Sequence, residues 1–500
     1  MQLAQNTIHA IHPQPDLEIP EAQLFELPEK VLQFGTGVLL RALPDYFIDK
    51  ANKKGLFNGR IVMVKSTDSD STAFQRQDGL YTVCIRGLEN GQVVEADSIN
   101  ASVSRVLDAR REWDRVLECA RNPGIQLVIS NTTEVGIQLV PEQIGSAMPQ
   151  SFPGKLLACL WERFQALGGQ PGSGLVIIPT ELISENGKRL KEILVQLAQI
   201  NQLDPRFITW LATENRFCNS LVDRIVPGKP VTSELNNTAE RLGYTDELLI
   251  KCEVFRLWAI EGDDRIRKLL SFSLTDNGVV IVPDISVFKE LKLRLLNGTY
   301  TFCCGPAFLS GFAITRDAVN DPVFSRFTRA LMLEEIAASI PLAISSDEKK
   351  AYAEQVVERF KNPYIDHQWL SITLQYSSKM KMRNIPLLLQ YYALHQKVPA
   401  YMAAGFASYL LFMKAARKEG NRFFGIQDGI EYEIRDDAAA LYYERWATGT
   451  PDQVVDAALA DTGLWGTDLT VLPGFSDAVK ASLATFMEEG VYRSLVKLLQ

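Results

Sequence analysis

Lys292 and Asn297 stand five residues apart in Lys292-Leu293-Arg294-Leu295-Leu296-Asn297-Gly298-Thr299-Tyr300. A lysine can hand a proton to a substrate oxygen when desolvation lowers its pKa toward neutrality. An asparagine can donate its amide hydrogens to an oxygen that is gaining negative charge. On adjacent turns of one helix the two could converge on a single carbonyl oxygen. That is an arrangement for carbonyl reduction, provided a hydride donor binds elsewhere in the chain. Outside such a site, Lys and Asn near a helix end are ordinary solvated or capping residues, so the elements around them must decide.

A place for the hydride donor lies near the N-terminus. Residues 30–34 read as a short buried strand ending in Phe34. It runs into Gly35-Thr36-Gly37-Val38-Leu39-Leu40-Arg41 and then a helical pattern through Lys50. Strand, Gly-x-Gly and helix open a dinucleotide fold: the first glycine permits the turn, and the second lets the backbone approach a pyrophosphate. The helix start offers free N–H groups to the phosphates. Phe34, Gly35, Thr36, Gly37, Val38 and Leu39 are therefore the expected cofactor contacts, although Leu40 replaces the third glycine. A second strand, residues 59–64, leads into Lys65-Ser66-Thr67-Asp68. NAD sites usually have Asp or Glu there. Asp68 or Asp70 could serve the ribose, and Lys65 could accept a 2′-phosphate, so NAD is expected with NADP left open.

Further apolar strands at residues 125–130 and 174–179 end in polar clusters, Asn131 to Glu134 and Thr180-Glu181. Open parallel sheets bind ligands at those ends. Asn186-Gly187 reads as a turn into an amphipathic helix. Residues 217–225, with Asp223 beside Arg224, are less easily classified.

The chain has 500 residues, with hydrophobic content of 46% and charged content of 22%. That suits a globular protein of two domains. A net charge of −8 argues against nucleic acid as a partner. No apolar run is long enough to span a membrane, and no signal-peptide pattern opens the chain, so a cytoplasmic protein is expected. Seven cysteines without repeated spacing read as reduced, mostly buried thiols. Four histidines make a multi-histidine metal centre improbable, and His9 and His12 fall in a leader expected to be mobile. The oligomeric state is not legible.

From about residue 285 the pattern turns helical, with helices expected at residues 351–361, 386–394, 401–418, 438–447 and 475–500. Residues 423–434 read as an exposed loop or hairpin. The fold class is α/β plus all-α: a Rossmann-like NAD-binding domain over residues 1–278, followed by a mostly helical substrate-binding domain over residues 279–500.

Together, Gly35-x-Gly37 with Arg41, Phe217 to Ile225, and Lys292 through Asn297 resemble the mannitol dehydrogenase family of polyol-specific long-chain dehydrogenases over nearly the whole chain. The resemblance implies that Lys292 is the general acid/base, that Asn297 polarises the substrate oxygen, and that no catalytic metal takes part. Pro179-Thr180-Glu181-Leu182-Ile183, Asn362-Pro363-Tyr364-Ile365 and Ser377-Ser378-Lys379 resemble the branch acting on keto-uronates. Lys379 would then lie near the substrate, where a lysine could pair with a carboxylate. Ser371 stands where the polyol branch carries an arginine, and Glu134, Glu181 and Asp223 complete the expected substrate contacts. The family usually has a histidine three residues after the asparagine, and here that place is Tyr300. Its hydroxyl could bond the substrate or the lysine, or its ring could simply pack on Phe302. A keto-uronate or polyol is the expected partner. A protein that binds nucleotide without catalysis is the alternative from another class.

Overall fold

The computed structural model describes residues 1–500 apart from residues 69, 133–135 and 146. The chain divides into two compact units: Met1–Gly87 with Val93–Ile285, and Leu88–Gln92 with Ser286–Gln500.

Six parallel strands organise the first unit. In chain order they are Glu29–Phe34, Arg60–Lys65, Val103–Asp108, Leu127–Ser130, Val176–Pro179 and Arg216–Phe217. In space they run third, second, first, fourth, fifth, sixth. This is the strand order of the Rossmann fold, and it reverses between the first and fourth strands, where such sheets take their ligands. Side chains alternate across a strand, and both faces here are covered. Val31, Met63, Ile129 and Ile178 enter one core with Phe47, Ile48 and Ala51 of the helix Pro44–Lys53. Leu32, Val62, Val128 and Ile177 enter another with Leu156 and Leu160 of Phe152–Leu167 and Leu190 and Leu194 of Asn186–Ile200. Double burial makes these strands read as unbroken apolar runs. Each large apolar side chain removed from water contributes about 1.5–3 kcal/mol.

A four-stranded and a three-stranded sheet complete this unit. The strand Val279–Val282, which the sequence reading places at the start of the second region, pairs in parallel with Leu257–Glu261 and so continues the first unit. The leader expected to be mobile is packed: Leu3, Ile8, Ile11 and Leu17 are buried against Leu80, Tyr244 and Leu249. The helix expected through Lys50 is two helices, Val38–Ala42 and Pro44–Lys53. Pro44 has no N–H to continue the first, while its fixed φ suits the start of the second.

Asp45 sits fully buried in the first turn of that second helix. Its Oδ2 accepts from Gln33 Nε2 and the Tyr81 hydroxyl, each at 3.3 Å. Burial pushes this carboxyl up to about 7. A group that holds its proton more tightly when folded stabilises the fold most at low pH, and that stability is lost as pH rises through the folded pKa. Asp45→Asn should therefore lose less stability than the native protein between about pH 4 and about pH 7. Parallel curves of thermal midpoint against pH for the two proteins would rule Asp45 out as the cause.

The second unit is mostly helical, with Thr299–Leu309, Ser346–Phe360, Ile385–His395, Ala400–Phe412, Ala439–Thr448 and Phe475–Glu489 among its elements. The helix expected over residues 401–418 ends at Phe412. Arg417–Glu419 instead pairs with Arg422–Gln427, and that strand with Ile430–Glu433, in an antiparallel sheet. Residues 414–422 carry no apolar stripe to hold a helix on the core, and Gly420 turns the chain at φ +58°. The helix expected over residues 475–500 breaks at Gly490, φ +85°, into Phe475–Glu489 and Val491–Leu498. Three stretches, Leu291–Gly298, Leu331–Ile336 and Met380–Asn384, are wound as π-helix. All seven cysteines are buried and free of disulfides. Among the described residues no helix is long and apolar enough to cross a membrane.

Candidate active site

At the end of the first strand the Gly35 amide donates to the Val64 carbonyl at 3.0 Å, and Gly35 takes φ +128°. Only glycine adopts that conformation without strain. A Cβ there would also lie 2.9 Å from Leu40 Cδ1 and 3.2 Å from the Asn131 carbonyl oxygen. Leu40, in place of the third glycine, fills the space behind the turn. Gly37 caps the helix Val38–Ala42, and a Cβ added to it would meet nothing within 4 Å. Arg41 braces the turn: Nε donates to the Thr36 carbonyl at 3.2 Å and Nη1 to the Leu248 carbonyl at 2.5 Å.

A cavity of about 720 Å³ opens here. Phe34, Gly35, Thr36 and Gly37 line it from the first strand, Lys65 and Ser66 from the second, and Asn131 from the fourth. Seven of the nine expected cofactor residues thus meet. Val38 and Leu39 pack on the core instead. Ser151 and Lys155, which sequence reasoning passed over, close another side. The Ser151 hydroxyl caps its helix by accepting from the Gly154 amide at 2.9 Å, and Ser before Phe-Pro was the available signal. Lys65 is buried and pairs with Asp108 at 3.0 Å. Asp108 also went unnoticed, although it ends the third strand. Asp68 pairs with Arg110 and Asp70 accepts from the Thr72 amide at 2.9 Å, both on the surface.

Beyond the fourth and fifth strands, Asn131 Nδ2 donates to Thr180 Oγ1 at 3.0 Å. Glu181 is buried, and its carboxylate accepts from the Thr132 amide at 2.9 Å, Thr132 Oγ1 at 3.0 Å and Ser130 Oγ at 3.2 Å. Burial raises its pKa in spite of those bonds. Glu181 thus ties the two strand ends together. Glu134 lies outside the described residues. Asp223 is buried at the end of Ser220–Asp223. Its neighbour Arg224 donates to the carbonyls of Glu253 at 3.0 Å and Ala42 at 2.5 Å. Asn186-Gly187 is a buried helix start rather than a simple turn: Asn186 Nδ2 donates to the carbonyls of Pro179, Glu181 and Ser220 at 3.0, 3.1 and 3.0 Å.

In the second unit, Lys292 and Asn297 share the π-helical stretch Leu291–Gly298. At 3.6 residues per turn, positions five apart on an α-helix point about 140° apart. A π-helix bonds from i to i+5, so the same spacing brings them toward one face, as positions four apart are on an α-helix. Burial follows: Leu291, Arg294, Leu295, Leu296 and Gly298 are buried, while Lys292 and Asn297 are half-buried. Arg294 fixes this stretch to the π-helix Met380–Asn384. Its Nε pairs with Glu290 at 3.0 Å, and its Nη1 donates to the carbonyls of Met382 at 3.2 Å and Arg383 at 2.7 Å.

Tyr300 is buried. Its ring lies 4.1 Å from that of Phe360 and edge-on to His367 at 5.2 Å. Phe302, the packing partner open from sequence, faces Gly405. The Tyr300 hydroxyl is 3.4 Å from His367 Nδ1, so a histidine reaches this place from elsewhere in the chain. Burial, and then the charge of Lys379, hold His367 below its ordinary value. Lys379 Nζ donates to the Ile372 carbonyl at 2.8 Å, and burial followed by the nearby Arg383 lowers its pKa. Ser371, exposed on the same short helix, Trp369–Ile372, donates to the Gln368 carbonyl at 2.7 Å. Sequence reasoning missed Arg383. Its Nη1 donates to Thr301 Oγ1 at 3.1 Å, and that hydroxyl donates to the Asn297 carbonyl at 2.8 Å.

Residues 29–273 match the family model of the mannitol dehydrogenase Rossmann domain, and residues 284–487 that of the mannitol dehydrogenase C-terminal domain. The chain belongs to the mannitol dehydrogenase family and is an oxidoreductase. It is 38% identical to the altronate oxidoreductase of Halalkalibacterium halodurans, over 94% of this chain and 93% of that protein. The altronate oxidoreductase of Bacillus subtilis is 37% identical over 94% and 95%, and that of Bacteroides thetaiotaomicron 34% over 94% and 96%. A crystal structure of D-sorbitol dehydrogenase in substrate-free form aligns with TM-score 0.80 at 19% identity, covering 99% of this chain and all of the other. Pseudomonas fluorescens mannitol 2-dehydrogenase, solved as a ternary complex with NAD and D-mannitol, aligns with TM-score 0.70 at 22% identity, covering 100% and 99%. At these identities the two structures speak for the fold.

Proposed function

We propose that this chain is an NAD-dependent oxidoreductase that reduces D-tagaturonate to D-altronate and catalyses the reverse. The observation that carries the proposal is that Lys292 and Asn297, both half-buried, lie five apart within one π-helical stretch. The relatives named altronate oxidoreductase, matched at 34% to 38% identity, support the substrate.

The first unit suits NAD. The open flank of Gly37 leaves room for a pyrophosphate against the backbone. Lys65, which lines the cavity, is already paired with Asp108, so its charge is met within the protein and draws a 2′-phosphate less. Bound NAD supplies the hydride chemistry. In reduction Lys292 gives a proton to the substrate's ketone oxygen, and in oxidation it takes that proton back. Asn297 donates its amide hydrogens to the same oxygen as charge grows there. Tyr300, three residues on and steadied by His367, offers a hydroxyl to the substrate, and Lys379 offers its ammonium. Glu181 acts from behind, by holding the strand ends in place.

The test is coenzyme oxidation by the purified protein, offered tagaturonate and fructuronate separately with NADH and then NADPH, and polyols with the oxidised coenzymes. Tagaturonate with NADH should turn over fastest. Turnover of polyols alone would replace the substrate. Binding of nucleotide without any turnover would leave a non-catalytic member of the family.

A further inference from the structure

We infer that Arg383 is the residue that binds the substrate's carboxylate, a role that rests on the uronate reading above. A guanidinium carries five N–H donors. That of Arg383 is half-buried and makes one hydrogen bond among the described residues, to Thr301. No carboxylate of the described residues lies within ion-pair distance of Arg383 or of Lys379. Other arginines of this unit behave differently: Arg294 pairs with Glu290, Arg329 with Glu354 and Arg445 with Asp461. The one acid whose field reaches Lys379, Asp436, is occupied by the Ser377 amide and hydroxyl, each at 2.7 Å, and by the Ala438 amide at 2.8 Å.

Lys379 and Arg383 are four residues apart, and like charges at that spacing on a helix repel. Burial, the first cause of the lowered pKa of each, adds to the cost of keeping both charged. A fold that holds two half-buried cations side by side without an acid is arranged for an anion from outside. The planar fork of arginine matches a carboxylate in a bidentate manner, whereas lysine is a point charge. Arg383 is also set in place relative to the reacting oxygen: Thr301 links its guanidinium to the Asn297 carbonyl. A carboxylate on Arg383 therefore lies within one sugar's length of Asn297.

The experiment compares the native protein with Arg383→Met and Arg383→Lys. KM and kcat are measured for the uronate and for a neutral ketose of the same chain length, together with KM for NADH and the thermal midpoint. Arg383→Met should raise KM for the uronate about 10- to 100-fold, with kcat and the NADH KM little changed. Reduction of the neutral ketose should be unaltered. Arg383→Lys, which keeps the charge and loses the fork, should fall between, and it carries the test if the methionine variant fails to fold. An unmoved uronate KM in the folded variants overturns the inference. So does an equal loss on the neutral ketose, which would mean that Arg383 only steadies Thr301 and Asn297. If the native protein reduces no uronate, the substrate reading itself falls, a result distinct from native turnover with an unmoved KM in the variants.

Discussion

Replacing Lys292 with alanine lowers turnover by about 10²- to 10⁴-fold, the range lost when a positioned proton donor is removed. NADH affinity should hardly change, because the expected nucleotide contacts lie in the first unit while Lys292 lies in the second. The loss should fall on kcat and kcat/KM together, as for an interaction made mainly in the transition state. A small primary amine added to the Lys292→Ala protein should restore part of the rate if the missing group is a proton carrier. Stopped-flow measurement of NADH oxidation, with fluorescence titration of NADH binding, separates the two effects. Unchanged turnover would remove Lys292 from the reaction and leave the π-helical pairing without a purpose.

The second large effect is expected at Gly37. Its φ of −65° is open to any residue, and a Cβ would meet nothing of the protein. Gly37→Val should fold, losing about 1 kcal/mol of helix-cap stability. It would place three carbon atoms where a pyrophosphate must approach. A steric conflict of about 1–3 kcal/mol weakens NADH about 10- to 100-fold. Gly35→Ala is the instructive contrast. At φ +128°, with Leu40 and Asn131 against it, that change should lower the thermal midpoint as well as binding. Native NADH affinity in Gly37→Val would move the dinucleotide away from this turn.

The parallel strands were legible because burial on both faces leaves an unbroken apolar run, as in Ile177 and Ile178. The Gly-x-Gly turn was legible for the reason that makes it work: only glycine tolerates the Gly35 conformation. Less accessible were features set by distant contacts. Asp108 acquires its meaning from Lys65, forty-three positions earlier, across a strand pair. The role proposed for Arg383 comes from an absence, since it meets no acid among the described residues, and no local spacing reports that. The Lys292–Asn297 pair was read as two residues on adjacent turns of an ordinary helix. On an α-helix those positions diverge, and they come together because the turn is wide. Helical periodicity reports an average of 3.6 residues per turn and is blind to one turn that departs from it. The packing of the leader escaped notice because Leu3, Ile8, Ile11 and Leu17 follow neither helical nor strand spacing.

The wide turn also decides which changes the chain can absorb by descent. Substitutions within residues 291–298 act side chain by side chain. An inserted residue acts on everything downstream. Losing one lets the turn tighten to an α-helix with the flanking segments in phase, whereas gaining one exceeds what even the wide turn absorbs and adds about 100° of rotation. The helix Thr299–Leu309 would then have to swing by that angle, carrying Tyr300 off Phe360 and Thr301 off Arg383, or the segment before it would have to counter-rotate. Insertions in this stretch should therefore be far rarer among related chains than changes of Leu293 or Leu296, and an added residue there should mark lineages that have altered or abandoned the chemistry.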